Sequence, residues 1–264
     1  MFSKYIFNQI LAIISIVIFI GVFVWLSTLG NINIWQSIYA MIVLVITEHY
    51  LLNLIHIASH RSLSKNYFVN EFFGNLIAIL TGISLPVFRE THNLHHANTN
   101  NPERDPDHFI STSGHLWWIA GRIFYHDYYF FKNGLFKRKN NLITYLIDRL
   151  AQISLVLVFQ FTNNLNVWIY YWLPSILIIG SMYGFYQFYF PHYSTKFVDS
   201  LRSKPLKNIF QRFALFTVDF SRYYHYKHHE QIKNNTYYFP FYTYLNEKFI
   251  LKKSLGKQLG EIKY

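Results

Sequence analysis

The sequence predicts an all-α, multi-pass membrane protein with about four transmembrane helices and a histidine-rich cytoplasmic cap. Of its 264 residues, 52% are hydrophobic and 14% are charged, whereas soluble domains carry about a quarter charged residues. Several apolar runs approach the roughly 20 residues that an α-helix needs to cross a bilayer. Nine of the 13 histidines fall in four short segments. We expect a single membrane-embedded domain over residues 1–264.

Four apolar runs are long enough to span the membrane. They cover residues 5–29, 34–55, 143–161 and 167–190. Gly30, Asn31 and Asn33 form a tight turn between the first two runs, and a polar stretch at 163–166 separates the last two. The first run is too long for the core of a cleaved signal peptide, so we expect it to remain as a helix.

A fifth apolar stretch, residues 72–88, is shorter and contains Gly82 and Pro86. Two clustered histidines flank it, His60 before and His92 after. If both serve one site, a single crossing between them would separate them by about 30 Å of hydrocarbon. We therefore predict that this stretch lies along the interface or re-enters the membrane on the same side.

The basic residues orient this topology. Twenty-three of the 24 lysines and arginines fall in residues 1–4, 61–141 or 192–264, and Arg149 is the exception. Because cytoplasmic loops of membrane proteins are enriched in Lys and Arg, the distribution places both termini and the histidines in the cytoplasm. It also explains the net charge of +11 better than nucleic-acid binding does, since the basic residues form no stripe on a soluble fold.

The histidines form a pattern that is typical of a metal site. The clusters are His56-x-x-x-His60, His92-x-x-His95-His96 and His225-x-x-His228-His229, and His192 stands alone. Residues three and four apart on a helix share a face, so each cluster can direct its imidazoles to one side. Neutral imidazole binds zinc, copper, iron and nickel. Nine ligands are too many for one ion, so the pattern indicates two.

Other metal chemistries fit the pattern less well. A transmembrane haem uses single histidines deep in facing helices, and a zinc protease would show His-Glu-x-x-His, which this sequence lacks. A metal transporter would place its ligands near the bilayer midplane. The chain has no cysteine, which excludes thiolate sites. Oxidation by iron and dioxygen is therefore favoured. We interpret four other histidines as structural: His49, His108, His115 and His126.

The three clusters resemble the histidine boxes of the membrane fatty acid desaturase and hydroxylase superfamily. Residues 86–109, PVFRETHNLHHANTNNPERDPDHF, are similar to the second box of cyanobacterial-type β-carotene hydroxylases and the related ketolases. The similarity extends through residues 111–127 and through Phe188-Tyr-Phe-Pro-His192. By this resemblance the nine histidines bind two iron ions, with dioxygen as co-substrate. An external ferredoxin or reductase supplies the electrons, because the chain has no Gly-x-Gly-x-x-Gly motif and no cysteine-bound cluster.

The resemblance implies an oxidoreductase that acts on a lipid-soluble hydrocarbon, with hydroxylation of a β-carotene ring as the leading activity. Three positions depart from the carotenoid pattern. Ile57 stands where an Asp is usual, Tyr223 stands where an Asn is usual, and no Pro closely follows the third box. Desaturation or hydroxylation of a fatty acyl chain is the alternative activity. A non-catalytic metal-binding or transport protein is a third interpretation.

Carboxylates beside the boxes are candidates for orienting the metal ligands, since a ligating histidine usually donates its second N–H to a carboxylate or carbonyl. The candidates are Glu48, Glu90, Asp105, Asp107, Asp219 and Glu230. Asp107 follows Pro106, so it is equally well placed to cap a helix. Aromatic residues at 117–118 and 124–125 indicate an interfacial helix.

Overall fold

The computed structural model describes residues 4–108, 117–138 and 140–184. Within these residues the chain is helical and contains no β-strand. The helices are α1 (Lys4–Thr28), α2 (Ile34–Ser59), α3 (Tyr67–Leu80), α4 (Leu85–Asn98), α5 (Trp117–Lys132), α6 (Asn141–Phe161) and α7 (Leu165–Tyr183). A short 3₁₀ turn, Leu135–Lys137, follows α5.

Four of the helices, α1, α2, α6 and α7, are long and apolar enough to cross a membrane. This confirms the predicted all-α class and the predicted number of long apolar helices. Exposed apolar side chains such as Ile143, Leu150 and Phe161 cover the outward face of α6, as expected for a surface that faces lipid rather than water. The predicted fourth span continues to residue 190, and its end lies outside the described residues.

Helix α2 extends beyond its predicted end because protein surrounds its carboxyl-terminal part. Every side chain from residue 51 to residue 59 is buried, including His56 and Ser59. Hydropathy ended the predicted span at residue 55, where polar residues begin. Neighbouring helices α1, α3, α4 and α7 pack against α2, so its polar end is enclosed by protein.

The stretch predicted as one interfacial or re-entrant element, residues 72–88, is divided between two helices. Helices α3 and α4 meet at an angle of 102°. Gly82 lies in the break between them with a φ of +70°, a left-handed conformation that glycine adopts without steric cost. Pro86 lies in the first turn of α4, where a missing amide hydrogen costs nothing. These two residues explain why the chain turns sharply here.

Polar side chains from α6 and α7 satisfy the backbone at this break. Asp148 Oδ2 accepts hydrogen bonds from Ser84 Oγ at 2.9 Å and from the Leu85 amide at 3.0 Å, at the start of α4. The carbonyls of the break are also bonded: Arg149 donates to Gly82 O at 3.0 Å, Gln152 to Ile83 O at 2.7 Å and Trp172 Nε1 to Leu80 O at 2.8 Å. Irregular backbone at membrane depth is tolerated only where protein groups or water supply such partners.

We predict that Gly82→Ala destabilises the protein by about 1–3 kcal/mol, because a side chain at a left-handed position is strained. A Cβ at this position would also lie 3.0 Å from Trp172 Cη2. Thermal unfolding of the detergent-solubilised protein measures the effect. Gly21→Ala, in α1, is the matched control, since a Cβ at Gly21 meets nothing within 4 Å. Equal unfolding temperatures for the two variants would contradict the prediction.

Candidate metal centre

Four histidines from α2 and α4 converge at one point. His56 and His60 lie one turn apart at the end of α2, and His92 and His96 lie one turn apart on α4. One ring nitrogen of each lies within 4.8 Å of the others. His92 Nε2 lies 3.1 Å from His60 Nε2 and 2.9 Å from His96 Nε2. An ion bound to imidazole at about 2.1 Å holds neighbouring ligand nitrogens roughly 3 Å apart, so the donor set fits a metal ion.

The polar end of α2 is held against α4 by Arg89, which precedes His92 by three residues. Its guanidinium donates to two carbonyls at the end of α2, Ser59 O and Ala58 O, both at 3.2 Å. It also donates to both carboxylate oxygens of Glu71 on α3, at 2.9 and 2.7 Å. Arg89 therefore fixes the approach of the two helices that carry the histidines.

The environment keeps two of the four convergent imidazoles, those of His60 and His92, neutral. Burial, followed by the positive charge of Arg89, lowers the pKa of His60 to about 4. Burial also lowers the pKa of His92 well below its ordinary value, and the neighbouring histidines lower it further. Neutral imidazole is the form that binds a metal ion, so these side chains need not lose protons at neutral pH to bind one.

His95 lies in a neighbouring cluster with two carboxylates. Its Nδ1 donates to Asp105 Oδ1 at 2.9 Å and lies 3.6 Å from Asp107 Oδ2. Burial alone would lower the pKa of His95, but the hydrogen bond to Asp105 and the charges of both aspartates raise it. Adjacent residues on a helix point about 100° apart. For that reason His95 and His96 diverge, and the second box does not direct all three imidazoles to one point.

The loop that follows α4 folds back to place these two carboxylates. Asp105 Oδ2 accepts a hydrogen bond from the Asn100 amide at 2.7 Å, and Asn100 has a φ of +63°. Asp107 accepts from His126 Nε2 of α5 at 2.7 Å. Both predicted carboxylates, Asp105 and Asp107, therefore contact histidines, and His126 has the structural partner that we expected.

Two other predicted carboxylates bind elsewhere among the described residues. Glu90 accepts hydrogen bonds from Arg138 at 2.6 Å and from Asn141 at 3.1 Å, because it lies on the side of α4 that faces the start of α6. Glu48 is fully buried and accepts from Ser175 Oγ of α7 at 2.7 Å. It precedes His56 by two helical turns, which is too far along α2 for its carboxylate to reach that imidazole.

A tyrosine that sequence reasoning missed contacts the site. The hydroxyl of Tyr183, on α7, lies 3.2 Å from His56 Nδ1, so that Nε2 is the nitrogen left to face the other histidines. The two residues are 127 positions apart, and no local pattern links them. The other predicted ligands, His192, His225, His228 and His229, lie outside the described residues, as do His115, Asp219 and Glu230.

A mainly apolar cavity of about 380 Å³ lies beside the histidines, and we call it the inner cavity. Its lining includes Leu52, Val87, Phe88, His126, Ile176 and Ile179. The Phe88 ring stacks on His92 with a centroid distance of 5.4 Å and lies 5.9 Å from the His56 ring. Phe88 therefore separates the inner cavity from the four convergent histidines. The volume of the inner cavity is within the range of small-molecule binding sites, about 300–1,000 Å³.

The fold and this site define a class: a helical membrane protein that carries a buried polyhistidine centre above an apolar cavity. The sequence pattern of the fatty acid desaturase family matches residues 33–255. The chain therefore belongs to the fatty acid desaturase family. This confirms the superfamily that the histidine boxes indicated.

Three fungal relatives, each a Delta 8-(E)-sphingolipid desaturase, match parts of the chain. The Emericella nidulans protein is 42% identical over 74 residues, which are 28% of this chain and 13% of the relative. The Komagataella phaffii protein is 35% identical over 81 residues, 29% of this chain and 15% of the relative. The Candida albicans protein is 43% identical over 53 residues, 20% of this chain and 9% of the relative. The matches thus span less than a sixth of each relative. No solved structure matches the chain.

We predict that Arg89→Lys destabilises the protein by about 1.5–3 kcal/mol, because one ammonium cannot replace a bidentate contact and two carbonyl contacts. The variant should also bind less metal, since α4 loses the hydrogen bonds from Arg89 to the end of α2. Arg138→Lys is the matched control: its pair with Glu90 is 57% exposed on the arginine side, and such pairs contribute about 0–1 kcal/mol. Chemical unfolding and metal content of both purified variants test the prediction. Equal losses of stability and of bound metal in Arg89→Lys and Arg138→Lys would contradict the prediction.

Proposed function

We propose that this protein is an oxygen-dependent di-iron enzyme that desaturates or hydroxylates an acyl chain of a lipid. One observation carries the proposal: four convergent imidazoles, of which His56 and His92 are buried, are separated from an apolar cavity by Phe88. Such a cavity suits a hydrocarbon chain and excludes water. Membership of the desaturase family supports the reaction class.

The proposed ligands are the nine histidines of the boxes, on a single domain that covers residues 1–264. His56, His60, His92 and His96 hold one iron ion. His95 and the four histidines outside the described residues complete the set for two ions. When bound, the two ions supply the redox chemistry that oxidises an unactivated C–H bond with dioxygen and two external electrons.

The residues of the chain prepare this site in three ways. The burial of His60 and His92, with the charge of Arg89 beside His60, keeps these two imidazoles neutral and available as ligands. Asp105 accepts the Nδ1 proton of His95, which leaves Nε2 of that ring as the ligand atom. The inner cavity holds the acyl chain so that one segment of it lies against Phe88, at the boundary with the histidines.

An acyl chain is favoured over a carotenoid as the substrate. By their names the three relatives act on sphingolipids, whose hydrocarbon chains are flexible and linear. The resemblance to β-carotene hydroxylases receives no support from these relatives, and the acyl alternative fits them better. We propose further that the metal centre and both termini face the cytoplasm, where the basic loops bind anionic lipid and an acidic electron donor such as a ferredoxin or a reductase.

We predict that the full chain, produced in a bacterium that accumulates β-carotene, changes the membrane acyl chains and leaves the pigment unchanged. The expected products are acyl chains that have lost two hydrogens or gained one hydroxyl, measured by mass spectrometry of the lipid extract. The same host carrying the His60→Ala variant is the control. Hydroxylated pigment together with unaltered acyl chains would restore the carotenoid interpretation.

We predict that His56→Ala lowers the iron content of the purified protein and abolishes turnover, because the variant loses a ligand in the middle of the cluster. Elemental analysis of purified protein measures the iron. His49→Ala is the matched control on the same helix, since the His49 ring bonds Asn53 of α2 at 3.1 Å and lies outside the cluster. It should retain wild-type iron. A wild-type protein that contains zinc alone would support a non-catalytic metal-binding protein instead.

A further inference from the structure

A second apolar cavity, of about 650 Å³, lies on the far side of the wall that closes the inner cavity. We call it the outer cavity. Its lining comes from α1, α6 and α7 and includes Phe19, Phe23, Val156, Phe159 and Trp168. Three residues line both cavities and form the wall between them: Gly82, Arg149 and Trp172.

Trp172 is the member of this wall whose bulk separates the two spaces. Its indole N–H is bonded to Leu80 O at 2.8 Å, and its ring stacks on Trp168 with a centroid distance of 5.0 Å. The ring fits only because residue 82 has no side chain, since a Cβ there would lie 3.0 Å from it. Arg149 is fixed by Asp127, because Arg149 Nη2 donates to both carboxylate oxygens, at 2.9 and 2.7 Å.

The two cavities follow one another along α7. The inner cavity is lined from Gly180 down to Trp172, and the outer cavity from Trp172 down to Asn164. From Gly180 to Trp172 the inner section covers eight residue steps, which is about 12 Å of helix. A hydrocarbon chain that starts beside Phe88 and runs away from the histidines along α7 therefore meets the Trp172 ring at the end of the first section.

We propose that Trp172 determines the length of acyl chain that the enzyme accepts beyond the oxidised carbon. This rests on the proposed function, because it assigns the inner cavity to the acyl chain. In the wild-type protein the acyl chain ends at the indole of Trp172. Each further methylene would have to displace a ring held by a hydrogen bond and a stacking contact, and one methylene at a closed pocket end changes substrate preference by about 10–200-fold.

The test compares substrates of increasing chain length on iron-loaded wild-type protein and on Trp172→Ala. Removal of the indole joins the inner and outer cavities. We expect Trp172→Ala to raise the preference for acyl chains longer than the wild-type limit by about tenfold or more. About tenfold is the lower end of the discrimination that one methylene gives. Trp172→Phe retains a ring and should give a smaller shift. Phe159→Ala is the matched control, because Phe159 lines the outer cavity and not the inner one, so its length preference should match the wild type.

A photoreactive group at the end of the acyl chain gives a second readout that does not require turnover. In Trp172→Ala it should label the part of α1 that contains Phe19 and Phe23, and in the wild-type protein it should not. An unchanged length preference in a Trp172→Ala protein with normal iron content would overturn the inference, as would labelling of α1 in the wild type. If Trp172→Ala does not fold, Trp172→Leu tests the same wall. Absence of turnover on every chain length by the iron-loaded wild type would count against the proposed function itself.

Discussion

The architecture depends on hydrogen bonding of the backbone where α3 ends and α4 begins. This break lies between two helices at 102° to each other. The carbonyls of Gly82 and Ile83 and the amide of Leu85 bond to side chains of α6 there. Asp148, Arg149 and Gln152 supply these bonds, and Trp172 bonds the Leu80 carbonyl from α7. Charged groups inside a membrane helix are costly. Here the hydrogen bonds that Asp148 and Arg149 make to the backbone of the break offset that cost. The bend between α3 and α4 can then bring α4 to the end of α2, where the four histidines meet.

A second polar contact completes the site from the opposite end. Arg89 joins the carbonyls at the end of α2 to Glu71 on α3. Without it, the two histidine-bearing helices would lack a fixed separation, and their ring nitrogens need a separation of about 3 Å to share an ion. Burial lowers the pKa of His60, and the same guanidinium lowers it further, so one residue contributes both to geometry and to the neutral state of a proposed ligand.

Period and hydropathy predicted the features that depend on local sequence: the long apolar helices and the histidine pairs four residues apart on α2 and α4. They could not predict features that depend on distant partners. Tyr183 meets His56 across 127 positions, and Ser175 meets Glu48 across the same interval. Glu90 was a reasonable candidate by proximity in sequence, yet its side of α4 faces Arg138. A hydropathy average does not show where the polypeptide turns. It therefore assigned residues 72–88 to one element, whereas the break at Gly82 divides them between α3 and α4.

The segment around the second box, which carried the resemblance, contributes contacts to the histidines and, through Arg149, to the break between α3 and α4. Within residues 86–127, the aspartates Asp105 and Asp107 contact histidines, and Asp127 holds Arg149. These contacts position His95, His126 and, through Arg149, the break between α3 and α4. Much of the remaining inner cavity is lined by α7, between Trp172 and Gly180, outside the segment that carried the resemblance. Under the proposed function, substrate selection would depend on a helix whose apolar sequence carries little motif information, so cavity shape there is more informative than similarity of the boxes.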